Sequence, residues 1–119
     1  MPRFLAIIMR FIPLLFWLLI AIVSVLMLIE LQPTKDGIPY IDKLEHIVVF
    51  TALTTTGCLA YAQKKLLVYA GLMALGAIYE VLQALFTITR QASVYDWLAD
   101  IIGILLAMMI IKLFNAKRI

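Results

Sequence analysis

Long uncharged stretches alternate with short polar ones along this chain. Phe11 to Ile29 carries no charge, nor does Ile47 to Gln63 between His46 and Lys64. Leu66 to Thr89 is interrupted only by Glu80 and Gln83. The strict run Ile101 to Ile111 is shorter, but Trp97 to Phe114 restores the length, with Asp100 near one end and Lys112 near the other. A helix needs roughly 20 apolar residues to cross a bilayer, and a lysine near a helix end can snorkel to the interface. The pattern predicts an all-α, integral membrane protein. It would be a four-helix antiparallel transmembrane bundle, one domain over 1–119, with spans at about 11–31, 44–63, 66–89 and 97–114. A soluble bundle would carry a polar stripe on every helix, and none is visible.

Local signals fit these elements. Pro13 stands in the first turn of the first run, where a missing amide costs little. The stretch 32–39, with Lys35-Asp36-Gly37, reads as a tight turn. Gln63-Lys64-Lys65 is short enough to force an antiparallel hairpin. Gly57, Gly71, Gly76 and Gly103 read as close-packing points between helices. Arg3 and Arg10 before an apolar run resemble a signal peptide, but the run is long and lacks a small-x-small cleavage site. It is read as a retained first span.

Composition sharpens the picture. Apolar residues make up 66% of the 119 and charged residues 14%, against about 25% charged in ordinary soluble domains. A small soluble core cannot hide that much apolar surface, so lipid is the expected solvent. The net charge is +3, yet the basic residues lie between apolar runs rather than in a patch interleaved with aromatics, which excludes nucleic acid as the partner. They read as topology signals. Arg3, Arg10, Lys64, Lys65, Lys112, Lys117 and Arg118 fall on one side of the four runs, and Lys35, Lys43 and Arg90 on the other. Cytoplasmic loops carry the excess of Lys and Arg, so both termini are expected in the cytoplasm. The single Cys58 excludes an intrachain disulfide.

The remaining polar residues collect at the opposite, outer side. Asp42 and His46 are four residues apart and share a helix face. Asp42 either orients the imidazole or, with Glu45, forms a capping box at the start of the second span. Glu80 lies nine residues before Thr89, about 13 Å inward at 1.5 Å per residue. A carboxylate at that depth costs several kcal/mol unless it is paired or protonated. It is read either as part of a functional site or as interhelical polar glue, and Gln83 shares its face. Ser93 and Asp96 have the form of a helix start, Asp100 follows one turn deeper, and Arg90 can hold a phosphate or carboxylate with two prongs. The expected ligand-binding set is therefore Asp42, Lys43, His46, Glu80, Gln83, Arg90, Ser93, Asp96 and Asp100, pivoting on Glu80. Candidate catalytic residues are His46, Glu80 and Asp96. There is no GxSxG, HExxH or phosphate-binding glycine loop. No cofactor or metal site is assigned, because ligand spacing is loose, although mixed imidazole and carboxylate groups leave a divalent cation open.

The ordered pieces Asp42-Lys43-x-x-His46-x-x-x-Phe50, Tyr79-Glu80-x-x-Gln83 and Arg90-x-x-Ser93-x-x-Asp96-x-x-x-Asp100-x-x-Gly103 cover about half the chain. In this order they resemble the VanZ-like family of small bacterial membrane proteins. The family usually has Asn at the position of Asp100, so this chain departs there. The resemblance implies a cell-envelope setting and an association with lowered sensitivity to the glycopeptide teicoplanin. The leading expectation is a binder of a lipid headgroup or lipid-linked cell-wall intermediate, engaged through Arg90, Lys43 and His46. The alternative is an enzyme acting on such a lipid, with His46 as base.

Overall fold

A computed structural model of the chain describes residues 2–28, 41–86 and 94–116, the side chains of Ile41, Asp42 and Ala116 excepted. The turn expected over 32–39, and Arg90 and Ser93, lie outside the described residues. What is described is helical almost throughout. The elements are α1 (Arg3–Arg10), α2 (Ile12–Leu28), α3 (Ile41–Ala60), a 3₁₀ turn (Ala62–Lys64), α4 (Lys65–Phe86) and α5 (Val94–Ala116). Helices α1 and α2 meet at Phe11, whose amide bonds to the Ile8 carbonyl. Pro13, the second residue of α2, cannot donate back into α1, which accounts for the break there.

Three stretches are long and apolar enough to cross a membrane: Arg3–Leu28, Ala62–Phe86 and Val94–Asn115. Their outer faces are unusually greasy for exposed surface, with Leu14, Leu66, Leu67, Leu85, Phe86 and Phe114 all exposed. Patches of this kind mark interaction with lipid or protein. Helix α3 is not among the three. It carries Lys43, Glu45 and His46 in its first two turns, and four threonines, Thr51 and Thr54 to Thr56, further on. Each threonine hydroxyl donates to the carbonyl four residues earlier, at 2.7–2.9 Å, which hides the polar atom within its own helix. Position explains this composition, since α3 packs against α2, α4 and α5 alike. A helix enclosed on three sides needs less apolar surface of its own.

The contacts fix the direction of each helix. Phe16 of α2 and Val68 of α4 both lie against Gly57 of α3, so consecutive helices run antiparallel. His46 meets Asp100 and Thr51 meets Gly103, so α3 and α5 run parallel and form the most extensive interface. That interface depends on Gly103. A Cβ there would stand 2.5 Å from the Ile47 carbonyl oxygen and 3.1 Å from Phe50 Cβ, so only glycine allows the approach. Phe50, Leu53, Tyr79 and Ile104 fill the centre, with the Phe50 and Tyr79 rings edge to face at 6.5 Å. Two local expectations are corrected. Gly71 has nothing within 4 Å of its missing Cβ, so it is not a packing point. Helix α3 begins at Ile41, so Asp42 lies inside its first turn instead of capping it.

Candidate functional site

The helix directions place the C-terminal turns of α2 and α4 beside the N-terminal turns of α3 and α5. Polar side chains that are far apart in sequence meet there. His46 lies five residues into α3 and Asp100 six into α5, roughly 8–9 Å from their respective starts at 1.5 Å per residue. The His46 Nδ1 atom lies 2.6 Å from Asp100 Oδ1, within hydrogen-bond distance. Glu80 comes from α4. One ligand-type atom from each of His46, Glu80 and Asp100 lies within 4.8 Å of the others, and all three residues are buried. These three form the inner part of the cluster.

Nearer the helix ends, Lys43 Nζ donates to Asp96 Oδ1 at 2.5 Å, a charge-assisted bond. The His46 Nε2 atom stands 3.9 Å from Asp96 Oδ2, which joins the outer pair to the inner three. Exposure falls stepwise along this path. The Lys43 side chain is 28% exposed and that of Asp96 13%, whereas the His46 side chain is 7% and that of Asp100 1% exposed. The result is a polar path leading from the helix ends into the interior. Asp96 sits in the first turn of α5, where the helix dipole favours an anion.

Backbone shape contributes as much as the charges. A Cβ at Gly76 of α4 would stand 2.8 Å from Asp100 Oδ2 and 3.2 Å from Trp97 Cδ1, so glycine lets α4 close over Asp100. The Trp97 indole N–H donates to the Met73 carbonyl at 3.0 Å and ties α5 to α4 beside that glycine. Asp100 Oδ2 is buried with no hydrogen-bond partner among the described residues.

Of the nine residues expected to bind ligand, the structure brings together Lys43, His46, Glu80, Asp96 and Asp100. Gln83, on the same helix as Glu80, donates its amide N–H to the Met27 carbonyl of α2 at 2.7 Å. The Asp42 side chain, Arg90 and Ser93 lie outside the described residues. Two further residues support the site and were not singled out as such. Tyr79 donates to Ser24 Oγ at 2.7 Å, since the Ser24 hydroxyl is already donating to the Ile20 carbonyl. This bond pins α4 to α2 one residue before Glu80. Its signal was available, because Ser24 is the lone hydroxyl-bearing residue between Phe11 and Ile29. Gly76 read only as a packing glycine, and no spacing rule could show that it packs on Asp100.

Chemically, the arrangement offers an imidazole held by a buried carboxylate, which fixes ring orientation and tautomer, and a second carboxylate within reach. No protein-family model, curated protein or solved structure matches the chain.

Proposed function

We propose that the chain is a cell-envelope membrane protein that binds a lipid headgroup or lipid-linked cell-wall intermediate at one membrane face. In this reading α3 joins the three apolar helices as a fourth span, shielded by its neighbours, and both termini are cytoplasmic. The observation that carries the proposal is the graded polar path from Lys43 and Asp96 down to His46, Glu80 and Asp100, set among helices that expose many large apolar side chains. A polar entrance that opens among lipid-facing helices is placed to receive the polar part of an amphipathic molecule. Lys43 and Arg90 would hold a phosphate, while Asp96 would accept from headgroup hydroxyl or amine groups. The resemblance of the ordered polar residues to the VanZ-like family supports the envelope setting and an accessory role in teicoplanin tolerance.

The test is saturable binding of labelled envelope lipids to purified, chelator-treated protein in nanodiscs. Lys43→Met and Asp96→Asn should each weaken binding at least about tenfold, roughly one charge-assisted hydrogen bond. Binding unchanged in both variants would refute the site. The His46–Asp100 contact at 2.6 Å also favours a second reading, an enzyme with His46 as general base. Turnover of the lipid in the same assay, abolished by His46→Gln, would establish it over simple binding. Orientation is tested by external thiol labelling of Lys64→Cys in a Cys58→Ser background. Labelling in intact cells would reverse it.

A further inference from the structure

The inner three residues have a chemistry that the headgroup reading does not use. His46, Glu80 and Asp100 come from three different helices. They bring one ring nitrogen and two carboxylates to within 4.8 Å of one another, and all three residues are buried. Imidazole nitrogen and carboxylate oxygen are both metal-ligating groups, and one divalent cation could bind all three at once.

A second observation points into the same space. Asp100 is 1% exposed, one oxygen faces His46, and the other, Oδ2, has no hydrogen-bond partner among the described residues. Gly76 presents no side chain to that oxygen. Buried carboxylate oxygens are ordinarily satisfied, and a metal ligand bond would satisfy this one.

We propose that His46, Glu80 and Asp100 form a buried centre for a divalent transition ion of the zinc type. The donor set selects the ion. One imidazole with two carboxylates suits zinc or manganese, whereas magnesium retains water and seldom takes an all-protein set. Three protein ligands leave a fourth position, as in zinc sites open to a small ligand. At bond lengths of about 2.0–2.2 Å, tetrahedral ligand atoms stand roughly 3.4 Å apart. The widest pair must therefore close by up to about 1.4 Å from the 4.8 Å limit, while His46 Nδ1 and Asp100 Oδ1, 2.6 Å apart, open as the ion displaces the proton between them to His46 Nε2 and Asp100 binds through both oxygens. His46 Nε2, facing Asp96 at 3.9 Å, then remains directed toward the polar path. The ion would brace α3, α4 and α5 at the point where they converge.

Zinc is the probe, added to detergent-purified protein with no lipid present and then dialysed. The expected result is about one zinc retained per chain, with a rise in melting temperature. Glu80→Gln and Asp100→Asn keep the shape and should each weaken retention at least about tenfold and lose the thermal shift. Cys58→Ser should keep both. The cobalt-substituted protein should show a visible spectrum of nitrogen and oxygen ligands without a thiolate charge-transfer band. The proposal is overturned if the wild type retains no zinc, if the folded carboxamide variants retain as much, or if retention follows Cys58. Lipid binding is measured on chelator-treated protein, so either result can fail while the other stands.

Discussion

At the end where α3 and α5 begin, Lys43, His46, Glu80, Asp96 and Asp100 crowd together in largely buried positions. At the other end, where α2 begins and α3 finishes, the helices border a half-open cavity of about 430 Å³ lined by Phe16, Trp17, Tyr61, Leu72 and Leu75, with Lys64 beside them. One end is closely packed and polar, the other apolar and hollow. Tethering differs accordingly. The polar end is held by a 2.6 Å contact between buried groups and by glycines that permit close helix approach. At the apolar end the exposed Trp17 N–H donates to the Tyr61 hydroxyl at 2.7 Å. Polar groups in a dry interior are directional and expensive to leave unmade, so the polar end needs exact partners. An apolar cavity has no such demand, because apolar contacts are non-directional.

The largest effect should come from forcing the polar end apart at its base. Gly103→Leu places a side chain where even a Cβ would stand 2.5 Å from the Ile47 carbonyl. Overpacking typically costs about 1–3 kcal/mol and occasionally more, and the bulk here meets backbone that cannot rotate away. A loss of about 3 kcal/mol is expected in detergent unfolding, with headgroup and zinc binding lost together because α3 and α5 carry both sets of residues. A Gly103→Leu protein as stable as wild type would show that the α3–α5 contact does not hold the polar end.

Next in size is the removal of one member of the inner contact. Asp100→Ala deletes the partner of His46 Nδ1 in a buried site, and an unsatisfied buried group costs roughly 1–3 kcal/mol. Asp100→Asn keeps an acceptor at the same place and should cost less than half as much. The difference between the two, read by unfolding in the same detergent, separates the hydrogen bond from the charge. Equal losses would mean that the charge, which both variants remove, carries the effect and that the acceptor kept by Asn contributes nothing.

Much of this contrast was legible before any coordinates. Four apolar runs were read as four spans, and three of them fall in stretches long and apolar enough to cross a membrane; Pro13 announced the start of α2. The recurrence of Lys43, His46, Glu80, Asp96 and Asp100 at the ends of those runs announced that polar groups gather on one side. What escaped was lateral. Periodicity tells which face of a helix is polar but not which neighbour it meets, so the closeness of the α3–α5 interface at Gly103 could not be read, nor the bond from Gln83 to the Met27 carbonyl. Helix α3 was also harder to weigh, because its threonines look polar in a sequence and hide their hydroxyls in its own backbone. Asp42 shows the limit of end signals. It has the form of a cap and stands one residue inside the helix.

The smallest and cleanest test uses one substitution in two places on α4. Gly71 and Gly76 are five residues apart and looked alike in the sequence. Glycine inside a helix costs roughly 0.5–1 kcal/mol relative to alanine, through the freedom of the unfolded chain. At Gly71, beside the hollow end, a new Cβ meets nothing within 4 Å. Gly71→Ala should therefore stabilise the protein by about 0.5–1 kcal/mol and leave ligand binding unchanged. At Gly76, beside the polar end, the same methyl would stand 2.8 Å from Asp100 Oδ2. The carboxylate cannot yield freely, because its other oxygen is committed to His46. Gly76→Ala should thus lose the propensity gain and more, for a net cost of about 1 kcal/mol, and weaken zinc retention as Asp100 is pushed aside. Opposite signs at the two glycines would measure the difference between the two ends directly. Stabilisation at both would mean that Asp100 is free to move and that the polar end is no more exacting than the hollow one.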